Sequence, residues 1–303
     1  MQRIGFIGLG AMGAPMAQRI QDQRASAPLV VHARRKESAT AALRAGAVWA
    51  ESPADLAGHV DVVVTMLPDL PDLREVIYAS GGLLSGARAP LVVIACSTSS
   101  PEETRAFGAE VAKDSRGLLE LVDAPVSGGV EGAAAGDLSI FLGGSPRAAE
   151  AATAALTACG TCAHLGPLGS GQVAKAANQL IVAATTVALG EAVVMAERAG
   201  LDLAALIPSL AGGYAGSRLL EVKGKKFIDR DHSPASPARF MIKDLRFALA
   251  EAAATGTPAP VLHAAETVFR HMAEAGMGDL DSAGVQAYLD SVRPAHGSGT
   301  TWT

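Results

Sequence analysis

Two groups of residues near the start of the chain have the types and spacing to handle a dinucleotide. Gly8, Gly10 and Gly13 stand in Ile4-Gly5-Phe6-Ile7-Gly8-Leu9-Gly10-Ala11-Met12-Gly13, the spacing GxGxxG. In such a turn the first glycine permits a tight bend, the second lets the backbone approach a pyrophosphate, and the third packs helix on strand. An apolar run precedes the turn and a helical stretch begins at Ala14, so a helix N-terminus would face the phosphate charge. The whole segment Gly8, Leu9, Gly10, Ala11, Met12, Gly13 is the candidate cofactor turn. The next strand candidate ends in Val31-His32-Ala33-Arg34-Arg35-Lys36. A site that selects NAD usually carries an acid here for the ribose hydroxyls. Arg34 and Arg35 instead suit a 2′-phosphate, through charge-assisted hydrogen bonds. NADP is the expected cofactor, with NAD left open. Met66, Leu67 and Pro68, then Ser97 and Thr98, follow two later strand candidates. Loops at such strand ends line the crevice of a doubly wound sheet. Leu67 and Pro68 are expected to flank adenosine or ribose, and Ser97 and Thr98 the nicotinamide side.

Further motifs follow in order. They are Thr65-Met66-Leu67-Pro68-Asp69, Ser97-Thr98, Asp123-Ala124-Pro125-Val126-Ser127-Gly128-Gly129, Gly169-Ser170-Gly171-Gln172-Val173-Ala174-Lys175 and Lys243-Asp244. Singly, each has an ordinary reading: a glycine-rich turn, or a lysine near a helix start that sits at the surface. Together, and in this order after the glycine turn, they resemble the β-hydroxyacid dehydrogenases. That family includes 3-hydroxyisobutyrate dehydrogenase and tartronate semialdehyde reductase, and the resemblance runs over nearly the whole chain except its last residues.

The resemblance implies an NAD(P)-dependent oxidoreductase that interconverts a small β-hydroxyacid and its aldehyde acid. It makes Lys175 the catalytic acid/base, and apolar burial would suit that lysine to accepting a proton as well as giving one. The Ser127 hydroxyl with the Gly128 and Gly129 amides forms a small anion nest suited to a substrate carboxylate. Asn178 and Gln179, three and four residues beyond Lys175, share its helix face and are expected to bind substrate. Many members carry Asn where Gln179 stands. The Asn178-Gln179 pair and Gly212-Gly213-Tyr214-Ala215-Gly216-Ser217 resemble the tartronate semialdehyde reductase branch, so Asn178 is named first. Lys243 is expected to reach back toward nicotinamide or substrate, and Asp244 to cap or pair locally. Two other functions compete. Imine reductases are similar in fold but usually lack the lysine, and a non-catalytic NADP-binding sensor would not need it. 6-Phosphogluconate dehydrogenase is similar at the start but has a much longer chain.

These residues need elements to hold them. Short β-branched runs at 3–7, 29–32, 60–66, 91–95, 119–123, 139–142 and 163–165 read as strands. Helical stretches lie between them, three of them announced by Ser52-Pro53, Ser100-Pro101 and Ser145-Pro146, an N-cap followed by proline. Strands alternating with helices argue for a mostly parallel sheet covered on both faces. Beyond Gly166 no run reads as a strand. A long helical pattern spans 171–199, and shorter ones cover 203–211, 218–222, 242–254 and 259–275. The expectation is an α/β fold: a doubly wound Rossmann domain over 1–165, an all-α domain for substrate and dimerisation over 166–293, joined by a long helix, and a flexible tail over 294–303.

Composition narrows the rest. The chain has 303 residues with 49 % apolar, 18 % charged and only 4 % aromatic, and a net charge of −5. An acidic surface poor in aromatics argues against nucleic acid as a partner. The oiliest stretch, around 176–190, contains Asn178, Gln179 and two threonines, and reads as a buried helix rather than a membrane span. Cys159 and Cys162 form a lone CxxC with no further ligands nearby, so no metal site is expected. No signal peptide is visible, which leaves a cytoplasmic location as the expectation. Oily helices in the second half point to a homodimer or homotetramer.

Overall fold

The computed structural model describes residues 2–24, 27–234 and 237–292; the expected tail at 294–303 lies outside the described residues. Two compact units result, Met1–Lys175 and Ala176–Thr303. The first holds strands β1 Ile4–Ile7, β2 Val30–His32, β3 Val48–Trp49, β4 Val62–Thr65, β5 Leu91–Ala95, β6 Leu119–Asp123, β7 Val126–Ser127, β8 Leu138–Gly143 and β9 Gly160–Gly166. Its helices are α1 Gly13–Asp22, α2 Thr40–Arg44, α3 Pro53–Ala57, α4 Leu70–Tyr78, α5 Leu83–Gly86, α6 Pro101–Asp114, α7 Gly129–Ala135 and α8 Pro146–Leu156. Helix α9, Ser170–Arg198, begins here, and the unit boundary falls inside it.

The sheet order is β3-β2-β1-β4-β5-β6-β8-β7, with β9 on β8. β1 to β6 pair in parallel, and the order 3-2-1-4-5-6 is that of a dinucleotide-binding sheet. β1, β4 and β5 are buried at every position, as parallel strands covered on both faces must be. The three expected Ser-Pro helix starts form: Ser52, Ser100 and Ser145 each accept a hydrogen bond from the backbone N–H three residues on. Registers align one row across the sheet, His32 beside Ile7, Ile7 beside Thr65, Thr65 beside Ala95 and Ala95 beside Asp123. That row is where the parallel strands end, so every loop carrying a candidate residue leaves the sheet at one level.

Two strands escaped sequence reasoning. β3 and β7 have two residues each, too short for periodicity to register.

The second unit continues α9 and adds α10 Leu203–Ala211, α11 Arg218–Asp229, α12 Ala238–Ala254, α13 Pro260–Met272 and α14 Val285–Ser291. Its core gathers Val187, Val193, Ile207, Leu220, Phe227, Leu245, Leu262 and Phe269. α11 runs seven residues past its expected end at 222. Lys223, Gly224, Lys225 and Lys226 hide the apolar period there. Gly224 packs closely on Ile207, and Lys223 is tied to buried Asp281 at 2.5 Å. By length and apolarity alone α9 would pass as a membrane span, yet it carries buried Gln172, Lys175, Gln179 and Thr186.

Candidate active site

The glycine turn is dictated by packing at two positions and left open at a third. Gly8 has φ +99°, and a Cβ on it would stand 2.2 Å from the Met66 carbonyl oxygen. A Cβ on Gly13 would stand 1.9 Å from the Gly8 carbonyl oxygen, whereas one on Gly10 would meet nothing within 4 Å. Leu9 is buried beneath the turn, while Gly10 and Ala11 are exposed and Met12 half-buried. No side chain caps α1, which starts at Gly13. A close backbone turn with one open glycine face, leading into an uncapped helix, fits a dinucleotide pyrophosphate.

Arg34 and Arg35 are exposed just beyond β2. Lys36, the third cation of that run, is held back: its Nζ lies 5.1 Å from the Trp49 ring centroid and 3.9 Å from the Glu51 carboxylate. The loop after β4, with Met66 and Leu67 half-buried and Pro68 exposed, is stitched to the loop after β5. Ser97 Oγ donates to the Leu67 carbonyl at 2.7 Å and accepts from the Leu67 N–H at 3.2 Å. The Ser97 hydroxyl thus joins the two loops, and Thr98 beside it is half-buried.

The Asp123–Gly129 segment crosses from sheet to helix. β7 pairs with β8 at Val126 and Ser127. Gly128 and Gly129 follow with φ +138° and +67°, values that L side chains rarely adopt, so the glycines let the chain turn straight into α7. Lys175 is 7 % exposed, and its Nζ donates to the Val126 carbonyl at 2.9 Å. The ammonium therefore stands against the residue preceding Ser127. The structure brings Lys175 next to the Ser127-Gly128-Gly129 turn.

Within the second unit, Gln179 is buried, and its amide N–H donates to Asp244 Oδ2 at 2.7 Å. Gln179 Oε1 accepts from the half-buried Asn178 amide at 2.9 Å. Asp244 therefore receives Gln179. Lys243 is half-buried with its Nζ 5.7 Å from the Phe247 ring centroid. Arg218 is exposed and pairs with Glu221 at 3.2 Å.

Sequence reasoning missed two buried polar residues. Asp123 is fully buried at the end of β6, and Gln172 is 1 % exposed in the first turn of α9. Asp123 accepts from the Gly169 and Gln172 N–H groups, both at 2.7 Å. Burial pushes its carboxyl up to about 6, although hydrogen bonds from backbone N–H groups pull the other way. Both residues lie inside motifs already singled out. The available signal was a carboxylate at the end of a central parallel strand, where side chains are buried and need a partner. Cys159 and Cys162 are free thiols that burial pushes up to about 12 and about 11, which leaves almost no thiolate for redox chemistry. Among the described residues no group of three His, Cys, Asp or Glu side chains is placed to hold a metal.

Known protein families match the chain along nearly its whole length. Residues 3–166 match the family described as the NAD binding domain of 6-phosphogluconate dehydrogenase. Residues 169–289 match the one described as the NAD-binding domain of NADP-dependent 3-hydroxyisobutyrate dehydrogenase. The chain is 37 % identical to the 2-hydroxy-3-oxopropionate reductase of Escherichia coli, over 94 % of its own length and 96 % of the relative's. It is 34 % identical to the NAD-dependent L-serine dehydrogenase of Pseudomonas aeruginosa, over 96 % and 98 %. In structure it is similar to the 3-hydroxyisobutyrate dehydrogenase of Mycobacterium tuberculosis solved with L-serine. The TM-score is 0.81 at 30 % identity, over 95 % of this chain and 99 % of that one.

Proposed function

We propose that this chain, which belongs to the β-hydroxyacid dehydrogenase family of NAD(P)-dependent oxidoreductases, reduces a small aldehyde acid to a β-hydroxyacid and reverses that reaction, with NADP as its cofactor. The observation that carries this reading is the 2.9 Å hydrogen bond from Lys175 Nζ to the Val126 carbonyl, which sets an ammonium beside the Ser127 turn. The Ser127 hydroxyl and the Gly128 and Gly129 N–H groups take the substrate carboxylate. Lys175 holds its proton at Nζ, directed by Val126, and gives it to the alkoxide oxygen formed in reduction. In oxidation the same nitrogen takes the hydroxyl proton. When bound, the nicotinamide supplies or accepts the hydride. Asn178 and Gln179, further along the helix that carries Lys175, are assigned to the substrate's polar groups.

NADP rests on Arg34 and Arg35, exposed where the ribose 2′-position of a dinucleotide is read, and on the NADP-dependent description of the matched second family. The three free thiols support a cytoplasmic location. Ile181 and Met195 on α9, with Phe240 and Val261, stay more than half exposed, which supports a homodimer or homotetramer. Light scattering at micromolar concentration checks the assembly.

The decisive assay follows NADPH oxidation with tartronate, succinic and methylmalonate semialdehydes and glyoxylate. Turnover of at least one is expected. Lys175→Met is expected to keep NADPH binding and lose roughly 10²- to 10⁴-fold in kcat. Tight NADPH binding without turnover of any substrate, or full turnover by K175M, refutes the assignment.

A further inference from the structure

We propose that Asp123 is a positioning residue: its buried carboxylate clasps the first turn of α9 and so fixes where Lys175 stands against the Ser127 turn. The proposal rests on the reading of Lys175 as acid/base.

Helix starts are usually capped by a local Ser, Thr, Asp or Asn. The residue before α9 is Gly169, which has no side chain to offer, and its φ is +93°. A carboxylate from the end of β6 takes that place. Asp123 Oδ1 accepts from the Gly169 N–H and Oδ2 from the Gln172 N–H, each at 2.7 Å. Both oxygens are spent on the one helix start, where a negative group also meets the positive end of the helix dipole. The surroundings are shaped to admit it. A Cβ on Gly171 would lie 2.7 Å from Oδ2 and 2.3 Å from the Phe141 carbonyl oxygen, and a Cβ on Gly143 would lie 2.3 Å from Oδ1. The glycines of Gly169-Ser170-Gly171-Gln172 thus let backbone and carboxylate meet at hydrogen-bond distance.

Two further links turn the cap into a bracket. Gln172 Oε1 accepts from the Ser99 N–H at 3.0 Å and its Nε2 donates to the Ser97 carbonyl at 2.8 Å, while Ser97 holds Leu67. The start of α9 is therefore fastened to the loops assigned to the cofactor. Lys175 follows three residues after Gln172 and donates to Val126, three residues after Asp123. One short segment grips the helix twice, by carboxylate at its first turn and by carbonyl at the lysine. Loosening the first grip shifts the second, and a displacement of about 1 Å at a reacting group costs on the order of 10²-fold in rate.

Protonation loosens the clasp, because a carboxylic OH oxygen accepts far more weakly than a carboxylate oxygen and its proton is set among N–H donors. The groups facing the carboxylate are backbone N–H groups of α9 and its approach, with Gly143 from β8 and Ala95 of β5 alongside. The nearby charged side chains are Lys175, directed to Val126, and Arg105 of α6, which packs against Gly169. With the carboxyl at about 6, the clasp is closed at neutral pH and loosens below it.

The test uses the full-length enzyme with NADPH bound. In wild type, hydrogen-exchange protection of residues 169–175, corrected for intrinsic rate, is expected to fall about tenfold more than that of β4 and β5 between pH 7.5 and 5. The kcat for reduction is expected to fall below about pH 6 with it. D123N keeps the shape but sets an amide against a backbone N–H. It is expected to lose about 10- to 100-fold in kcat, with the KM for NADPH within threefold, and to lose the acidic limb. The wild-type exchange measurement stands even if D123N fails to fold. Flat protection from pH 5 to 7.5 overturns the proposal, as does D123N with wild-type kcat and an unchanged pH profile. If K175M is inactive in that second case, the acid/base reading survives and the clasp alone fails. If K175M turns over normally, both fall.

Discussion

The three glycines of the cofactor turn should separate into different phenotypes when each gains one methyl group. Gly13→Ala places a Cβ 1.9 Å from the Gly8 carbonyl oxygen, 3.0 Å from its carbon and 3.2 Å from Phe6 Cε1. The first distance is about 1.5 Å short of the 3.4 Å at which ordinary contact begins, and the obstacle is backbone. α1 must retreat, carrying fully buried Met16, Ala17 and Ile20 out of the core. Overpacking of this kind costs about 1–3 kcal/mol; a backbone clash of this depth belongs at the upper end, about 3 kcal/mol. In a unit of 175 residues each kcal/mol lowers Tm by about 2–4 °C, so a drop of roughly 6–12 °C is expected. Gly10→Ala meets nothing within 4 Å and sits at no positive φ. Its Tm should stay within about 1 °C of wild type, while NADPH affinity falls at least about tenfold, because the added methyl occupies the face the pyrophosphate approaches. Thermal unfolding without cofactor and fluorescence titration with NADPH measure both. A G10A variant that binds NADPH like wild type, or a G13A variant with wild-type Tm, refutes the assignment of the turn.

Other perturbations test separate links. Arg34→Ala should raise the KM for NADPH by at least about tenfold while changing that for NADH less than threefold, since only NADPH carries the 2′-phosphate; equal effects place Arg34 outside that subsite. Lys223→Met takes the ammonium away from Asp281, which is 0 % exposed and still accepts from the Ala283 N–H, and should destabilise the helical unit by about 3 kcal/mol, read by urea unfolding of the intact protein; a midpoint within error of wild type shows the pair to be dispensable. Asp123 should also leave a mark on stability, with a sign opposite to its effect on rate. Its carboxyl titrates at about 6 in the fold against a reference value of 3.8, so between these values the folded state holds more protons than the unfolded one. Stability from this group falls as pH rises from about 4 to 6, by about 3 kcal/mol, and is flat above. The difference between wild-type and D123N unfolding free energies, followed from pH 4 to 7, isolates that slope from the other carboxylates; a difference independent of pH rules it out.

Much of the first unit was legible because its signals are local. A strand buried on both faces is a run of β-branched residues, and Ser-Pro before an acidic turn is a helix start whose hydrogen bond is made within three residues. Gly13 could be read for the same reason: its constraint comes from the Gly8 carbonyl five residues away, whereas the one on Gly8 comes from Met66 at the end of β4 and was legible only through the motif. The helical unit was less legible. Helix α11 was cut short because Lys223 looks like a solvent residue until Asp281, distant in sequence, is known to lie beneath it. Ser97 is expected on the nicotinamide side from its place after β5, but that its hydroxyl also holds Leu67 is a contact across thirty residues that no periodicity encodes.

Asp123 and Gln172 show what this difference means for reading a catalytic motif. Both sit in segments whose pattern marks them as functional, and the obvious inference is that each motif residue touches substrate or cofactor. Geometry divides them otherwise. Ser127, Gly128, Gly129 and Lys175 meet at one place, while Asp123, Gly143, Gly171 and Gln172 build the joint that brings them there. The helix bearing Lys175 cannot take a cap from its own preceding glycine, and a carboxylate fully removed from water needs donors wherever it sits. Each satisfies the other's unmet hydrogen bonds. With Lys175 as the proposed acid/base, the ionisation of a residue assigned no contact with substrate then governs the reaction of one that is.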